Sequence, residues 1–167
     1  MRVIAFSCAH WMSREVQEEI FEYEPLNYNP FLRLCKKLIK DPPDVIVDLG
    51  DLAELVYEDI DLPREYTNLQ SGDVELVKLR GNHDPDDGDE FIVIDDVRYE
   101  HGHKLGTIKE GTREEYMQSV RKNTVGMKLV HGHTHIPNAG LPLDVGSITF
   151  SRTYGEIIDG RAELKYV

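Results

Sequence analysis

Cysteine and long apolar runs are both scarce in this sequence. Its 167 residues include two cysteines, Cys8 and Cys35, which are too few for a disulfide framework. The N-terminal stretch MRVIAF is too short and too weakly charged for a signal peptide, and no segment approaches the length of a membrane span. We therefore expect a reduced, cytoplasmic protein that does not enter a membrane.

Basic residues are also few, with 19 lysines and arginines against 31 aspartates and glutamates and a formal charge of −12. This balance disfavours a nucleic acid polymer as a partner, because such binding depends on basic side chains that neutralise phosphates. A small anionic substrate remains compatible, since bound metal ions can reverse the local sign of the charge. The length fits one domain over residues 1–167 and leaves a homo-oligomer open.

Hydrophobic patterning predicts an α/β fold. The first half alternates short apolar runs with helical stripes, and the second half is richer in strands. We predict strands over residues 2–7, 45–47, 74–79, 91–94, 97–100, 128–130 and 144–150, followed by a hairpin around Asp159-Gly160. We predict helices over residues 14–22, 31–39, 64–69 and 112–122. The expected architecture is two sheets with helices outside them.

All seven histidines lie in short polar clusters that follow predicted strands. They are His10, His83, His101, His103, His131, His133 and His135. Any single one of them fits a structural role, but independent structural histidines have no reason to avoid every other segment of the chain. For His103 and His131, which lie beside the others, we favour structural roles.

Aspartate, asparagine and cysteine accompany these histidines at the strand ends, where α/β folds build their sites. Imidazole, carboxylate and thiolate groups suit Zn, Fe, Mn and related ions. The candidate ligands are Cys8, His10, Asp51, Asn82, His101, His133 and His135. Seven ligands are too many for one ion, so we expect two divalent transition metal ions that share a bridging carboxylate.

Five short motifs in this sequence resemble those of the calcineurin-like metallophosphoesterases. They are Cys8-Ala9-His10, Gly50-Asp51, Gly81-Asn82-His83-Asp84, His101-Gly102 and Gly132-His133-Thr134-His135. The third and fifth motifs are specific together, whereas Gly-Asp alone is a common turn. The resemblance implies a four-layer α/β/β/α sandwich, with two mixed β-sheets flanked by helices, of the small phosphodiesterase type.

The resemblance also implies roles for individual residues. The first metal ion would be held by Cys8, His10, Asp51 and His135, and the second by Asp51, Asn82, His101 and His133. A hydroxide that bridges the two ions would attack phosphorus. His83 would bind the phosphoryl group together with Asn82 or protonate the leaving group, and Asp84 would orient His83.

Cys8 departs from the family pattern, which has aspartate at this position. In one interpretation the sulfur is a thiolate ligand, which would shift the site toward Zn or Fe and away from Mg. In a second, the sulfur lies near the site without binding metal. In a third, Cys8 is a small buried hydrophobic group, although its position two residues before His10 argues against this.

The expected function is hydrolysis of a small phosphodiester or phosphomonoester, which is a phosphodiesterase or phosphatase activity. Most of the chain is needed for the core, so we expect a shallow, open site. One rival is a non-catalytic binding scaffold of the same fold, which the missing acidic ligand favours and the presence of His83 opposes. A second rival is a nuclease, which the charge of −12 disfavours.

Overall fold

The computed structural model describes residues 1–12, 16–18, 26–54, 61–84, 88–106 and 112–167. The strands in these segments are β1 (Arg2–Phe6), β2 (Val45–Asp48), β3 (Glu75–Lys78), β4 (Phe91–Ile94), β5 (Val97–Glu100), β6 (Leu129–His131), β7 (Leu143–Asp144), β8 (Thr153–Ile158) and β9 (Arg161–Tyr166). The helices of defined extent are α1 (Asn29–Lys40), α2 (Arg64–Gln70) and α3 (Arg113–Asn123). None of the described helices has the length and apolarity needed to span a membrane.

β1 lies at the centre of the first sheet, which has the strand order β3-β2-β1-β8-β9. It pairs in parallel with β2, which pairs in parallel with β3, and it pairs antiparallel with β8. In this register Phe6 lies opposite Asp48, and Asp48 lies opposite Lys78. The carboxyl ends of three neighbouring strands therefore meet at one edge of the sheet, which is where three of the motifs follow.

The second sheet has the order β4-β5-β6-β7 and begins with an antiparallel hairpin. Asp95 and Asp96 form its two-residue turn with φ of 50° and 61°, as a type I′ turn requires. The strands β5, β6 and β7 pair in parallel, with Glu100 opposite His131 and His131 opposite Asp144. The carboxyl ends of β5, β6 and β7 therefore lie side by side at one edge of the second sheet.

Alternation of side chains along β1 divides the core into two clusters. Ile4 and Phe6 pack in the cluster that contains residues of α1 and α2, whereas Val3 and Ala5 pack in the cluster that contains residues of the second sheet. The third helix contacts the end of β5, where the Tyr116 hydroxyl donates to the Gly102 carbonyl at 2.5 Å. Two mixed sheets flanked by helices confirm the expected α/β fold.

The sequence of α1 explains how this helix covers the first sheet. Phe31, Leu34, Cys35 and Leu38 recur every three or four positions and are buried on one side of the helix. Complete burial of a side chain such as Phe31 stabilises the fold by about 1.5–3 kcal/mol. Pro30 lies in the first turn of the helix, where its missing N–H costs no internal hydrogen bond, and a pair of prolines follows the end of the helix.

The predicted strand over residues 144–150 is wrong. β7 ends at Asp144, and the chain then turns, with Gly146 at a φ of 68°. The hydroxyls of Ser147 and Thr149 donate to backbone carbonyls in the loop after β1, at 2.7 and 2.8 Å. The apolar residues between positions 144 and 150 favour a strand. The hydroxyl groups of Ser147 and Thr149 instead hold this segment against the loop after β1.

The other predicted elements are found with ends that differ by at most two residues. The turn at Asp159-Gly160 joins β8 to β9, with both residues at positive φ. Thr112 caps α3 and forms a capping box with Glu115. Of the helix predicted over residues 14–22, residues 16–18 are helical, and the rest lies outside the described residues.

Candidate metal centre

The loop after β1 is tied to the loop after β2. The N–H of Cys8 donates to the carbonyl of Gly50, and the N–H of His10 donates to that of Asp51, each at 3.0 Å. These bonds extend the contact between β1 and β2 beyond the strands themselves. As a result, Cys8, His10 and Asp51 lie side by side at the edge of the sheet.

Five of the candidate ligands have a left-handed backbone conformation. The value of φ lies between 47° and 71° at Cys8, His10, Asp51, His133 and His135. This conformation costs a residue other than glycine roughly 1–2 kcal/mol, so the surrounding loops must hold it. The turns after β1, β2 and β6 therefore direct side chains from both sheets toward one place.

Gly81 allows the loop after β3 to approach Asp51. A Cβ atom at this position would lie 2.0 Å from Asp51 Oδ1 and 2.5 Å from Asp51 N, so only glycine fits. The N–H of His83 donates to Asp51 Oδ1 at 2.8 Å. Asp84 Oδ2 accepts hydrogen bonds from the N–H groups of Asp51 and Gly81, each at 2.8 Å. The loop after β3 is thus fixed against Asp51.

Gly132 joins the second sheet to the first. A Cβ atom on Gly132 would lie 2.2 Å from Ser7 Oγ, which follows β1. The N–H of Gly132 also donates to the His101 carbonyl at 3.0 Å, which ties the loop after β6 to the loop after β5. Through this contact the histidines of the second sheet reach the carboxyl ends of β1 and β2.

One group of candidate ligands consists of Cys8, His10 and His135, whose ligand atoms all lie within 4.8 Å of one another. The Nε2 atoms of His10 and His135 are 3.0 Å apart. His10 Nδ1 donates to the carboxylate of Glu54, which leaves the Nε2 lone pair facing His135. The ring of Phe150 stacks on that of His135, with centroids 5.0 Å apart and planes at 17°.

A second group surrounds His101 Nε2. Asp51 Oδ2 lies 3.0 Å from this nitrogen, Asn82 Oδ1 lies 3.1 Å from it, and His133 Nδ1 lies 3.2 Å from it. The other ring nitrogen, His101 Nδ1, donates to the carbonyl of Leu49 at 3.0 Å. The structure therefore brings all seven sequence-predicted ligands together in two adjacent groups.

The donor atoms of these groups fit divalent cations. His101 donates through Nδ1, so its Nε2 faces the oxygens of Asp51 and Asn82 either with a second proton, as an imidazolium, or with a lone pair that a cation can bind. Lone pairs at about 3 Å repel one another unless a cation or a proton lies between them. Asp51 Oδ2 is also 4.0 Å from His10 Nε2, so its carboxylate lies between the two groups.

The Cys8 side chain is almost completely buried, with 1% of the residue exposed. Its sulfur lies 2.9 Å from the Ser7 hydroxyl. Burial raises the pKa of the Cys8 thiol well above its usual value, and the negative charge of Asp51 adds to this effect. A thiolate here therefore requires a cation beside it, as a metal ion would provide.

Electrostatics favour an ionised Asp51 and a neutral His133. Burial raises the pKa of Asp51, but interactions with His101 and the N–H of His83 outweigh it and hold the pKa well below its usual range. Burial and, after it, the charge of the neighbouring His101 lower the pKa of His133 to about 3. These protonation states are the ones that metal binding requires.

A comparison with known families identifies this arrangement. The model of a family described as calcineurin-like phosphoesterase matches residues 1–137 of the 167. The chain belongs to the calcineurin-like phosphoesterase family. Membership implies divalent metal ions and small phosphate-ester substrates, and it confirms the resemblance seen in the five motifs. A comparison with proteins of curated function gave no match.

Several solved structures share the fold of this phosphoesterase. Yfce, a phosphoesterase from E. coli, is 18% identical with a TM-score of 0.55, over 95% of this chain and 89% of Yfce. A predicted phosphoesterase from Streptococcus pneumoniae TIGR4 is 16% identical with a TM-score of 0.51, over 93% of this chain and 81% of the other. AQ665 from Aquifex aeolicus, described as of unknown function, is 18% identical with a TM-score of 0.50, over 83% of this chain and 82% of AQ665. At these identities the likeness shows the fold.

His83 lies at the rim of the phosphoesterase centre, with 38% of its side chain exposed. Its Nδ1 donates to Glu54 Oε2 at 2.9 Å, and the other oxygen of Glu54 is bound by His10. The rings of His10 and His83 are 5.1 Å apart. Ligand atoms of His10, Asp51 and His83 form a third group within 4.8 Å, so His83 is also within reach of a metal ion.

The resemblance implies that Asp84 orients His83, but in the structure the carboxylate that His83 Nδ1 contacts is that of Glu54. Asp84 Oδ2 binds backbone N–H groups, and no hydrogen-bond partner of its buried Oδ1 is found in the part of the chain that the structure describes. Sequence reasoning missed Glu54 because it follows the Gly50-Asp51 motif without being part of any motif. An acidic residue three positions after Asp51 was the available signal.

His103 and His131 lie outside the three groups of ligand atoms found within the described ranges. His131 is buried, its Nδ1 donates to the Gly132 carbonyl at 3.1 Å, and burial lowers its pKa to about 4. The ring of His103 lies 5.4 Å from that of His101, and burial lowers the pKa of His103. Their structural roles stay predictions.

Proposed function

We propose that this protein is a two-metal phosphoesterase that hydrolyses a small phosphodiester or phosphomonoester. The observation that carries the proposal is the convergence of two groups of ligand atoms on either side of the Asp51 carboxylate. Two ions held about 3.5–4 Å apart by a shared ligand are a standard arrangement for displacement at phosphorus.

Each metal position has four proposed ligands in the chain. The first position would use Cys8, His10, Asp51 and His135, and the second would use Asp51, Asn82, His101 and His133. Divalent Mn, Zn or Fe bound there would activate a water molecule for attack on phosphorus and offset charge on the phosphoryl group. The donor set, which combines nitrogen, oxygen and sulfur, supports transition metals over Mg.

His83 and Asn82 would act directly on the substrate. Glu54 holds the Nδ1–H of His83, so Nε2 is the ring nitrogen left to face a phosphate ester. As an imidazolium that carries a second proton on Nε2, with its charge balanced by the Glu54 carboxylate, His83 would donate a hydrogen bond to a phosphoryl oxygen or pass that proton to the leaving oxygen. Asp84 would support both residues by holding the backbone of their loop against Asp51.

The chemistry of the surface supports a small substrate rather than a polymer. With a formal charge of −12, the protein repels an extended polyanion, which makes nuclease activity a weaker alternative. Yfce, which shares the fold, is described as a phosphoesterase. Between the two ester classes we favour the phosphodiester, in keeping with the small phosphodiesterase type that the motifs resemble.

The test is hydrolysis of bis-p-nitrophenyl phosphate and p-nitrophenyl phosphate by protein stripped of metal and reloaded with Mn, Zn, Fe or Mg. We expect no turnover in the stripped protein and recovery with Mn, Zn or Fe. Asp51→Asn should abolish the recovered activity, since it weakens both metal positions. Asp73→Asn is the matched control, because Asp73 is exposed and precedes β3, whereas the motif follows the other end of this strand.

Two results would contradict the proposal. Failure of every metal to restore turnover of either ester would support a non-catalytic scaffold in which Cys8 marks the lost acidic ligand. Cleavage of nucleic acid polymers that exceeds hydrolysis of both small esters, and that falls steeply with added salt, would support a nuclease.

A further inference from the structure

Cys8 belongs to two groups of ligand atoms at once. Its sulfur lies within 4.8 Å of the ligand atoms of His10 and His135, which form the first group. It also lies within 4.8 Å of those of Asp51 and His101, which belong to the second. Like the carboxylate of Asp51, the sulfur therefore lies between the two proposed metal positions rather than at the outer side of one.

The loops hold the Cys8 sulfur at this point. The N–H of Cys8 donates to the Gly50 carbonyl at 3.0 Å, and the carbonyl of Cys8 accepts from the Ser147 hydroxyl at 2.7 Å. The backbone of Cys8 is thus bound on both sides, to the loop after β2 and to the loop after β7. The side chain is buried, so its neighbours cannot be exchanged for solvent.

We propose that Cys8 is a thiolate ligand shared by both metal ions and that it makes the centre selective for thiophilic ions. This inference rests on the proposed function and adds a second bridging atom to it. On binding, the sulfur forms bonds to both ions, and the proton of the thiol leaves to solvent. A thiolate keeps several lone pairs and can serve two ions, whereas imidazole offers one lone pair at each nitrogen.

The consequence is a preference among metals. Thiolate ligands select zinc and related soft ions, whereas carboxylate and water ligands suit Mg and Mn. A change of Cys8 to aspartate would keep a negative ligand of similar reach but remove the sulfur. We expect Cys8→Asp to lower the ratio of Zn affinity to Mn affinity by about tenfold or more, since even changes beyond the direct ligands alter metal affinity by about 10–100-fold.

The deciding measurement is ¹¹³Cd NMR of the intact protein loaded with two equivalents of cadmium. Sulfur ligation moves a cadmium resonance strongly downfield, so a shared thiolate should move both resonances and a terminal thiolate only one. Cys8→Asp should bring both signals upfield, and Cys8→Ser should do the same. Cys35→Ala is the matched control, because Cys35 is buried among apolar residues of α1 and belongs to none of the groups of ligand atoms in the described segments.

The wild-type spectrum decides the question without relying on a variant that folds poorly. Two downfield resonances support the shared thiolate, whereas one or none overturns it. Hydrolysis of bis-p-nitrophenyl phosphate by Zn- or Mn-loaded protein is measured alongside. If that activity is present and the cadmium signals lack the sulfur shift, the role of Cys8 is wrong and the proposed function stands. If cadmium does not bind and no metal restores hydrolysis, both are wrong.

Discussion

Glu54 Oε2 accepts a hydrogen bond from the Nδ1–H of His83 at 2.9 Å. The other oxygen of the same carboxylate is bound by His10, so one side chain fixes the protonated nitrogen of a proposed metal ligand and of the proposed catalytic histidine. Glu54 is therefore a positioning residue that acts through both imidazoles. It links the metal position to the place where the leaving group would lie.

Replacement of Glu54 by glutamine should lower kcat by about 10–100-fold, with less effect on KM. The amide can accept a hydrogen bond through one atom only, so one of the two imidazoles loses its orientation. Steady-state kinetics on bis-p-nitrophenyl phosphate measure the effect. Glu75→Gln, on the exposed surface of β3, is the control. A rise in KM with unchanged kcat would show that Glu54 does not position the reacting groups.

Replacement of His83 by alanine should lower kcat by about 10²–10⁴-fold, because proton donation to the leaving group is lost. Metal content should stay at the wild-type value, since the proposed ligand sets do not include His83. Elemental analysis of the purified variant, beside its kinetics, separates the two roles. Loss of an ion from His83→Ala would instead make His83 a ligand, as its place near His10 and Asp51 allows.

Gly132→Ala should destabilise the fold by about 1–3 kcal/mol, because the added methyl would lie 2.2 Å from Ser7 Oγ. The contact joins the two sheets, so metal affinity should fall as well. Chemical denaturation measures the loss of stability, and Ser7→Gly should restore part of it in the double variant. Gly72→Ala is the control, since its nearest neighbours lie at an ordinary 3.4 Å. Equal stability of the two alanine variants would contradict the prediction.

Burial of His131 should destabilise the metal-free protein as pH drops from 7 toward 4. Burial lowers the pKa of His131 to about 4, whereas the unfolded chain takes up this proton near pH 6.5. Between these two pKa values the unfolded state therefore binds more protons than the folded state. This difference lowers the free energy of unfolding by up to about 3 kcal/mol. Asp48, whose pKa burial raises to about 6, acts with the opposite sign.

The contribution of His131 can be isolated by comparing wild type with His131→Asn. The amide can keep a hydrogen bond to the Gly132 carbonyl but does not titrate in this range. The free energies of unfolding of the two proteins, measured between pH 4 and 7, should converge at low pH. The variant lacks the cost of keeping a buried imidazole neutral in the folded state. Parallel pH profiles for the two proteins would show that His131 does not titrate as its burial requires.

Much of the fold was predictable because its strands and helices have strong local patterns. The apolar runs of β1 and β2 and the helical stripe of α1 agree with their burial in the structure. The segment after Asp144 was not predictable in this way. Its conformation depends on hydroxyl contacts of Ser147 and Thr149 with a loop some 140 residues earlier in the chain.

The seven candidate ligands were predictable because each follows a strand in a short motif. Their partners were harder to predict, since Glu54 has no motif and acts through contacts that only the folded loop creates. The same holds for Phe150, whose ring stacks on His135 from a loop misread as a strand. Position in the sequence indicated the candidate ligands, while the groups that orient them required the tertiary structure.

The left-handed backbone at five of the proposed ligands bears on how metal binding relates to folding. The hydrogen bonds between the loops hold these conformations as part of the native fold, so a metal ion would find the proposed ligands already turned inward. Little further conformational entropy is then lost on metal capture. Loaded and stripped protein should therefore share one backbone, in contrast to small domains that fold only when their metal binds.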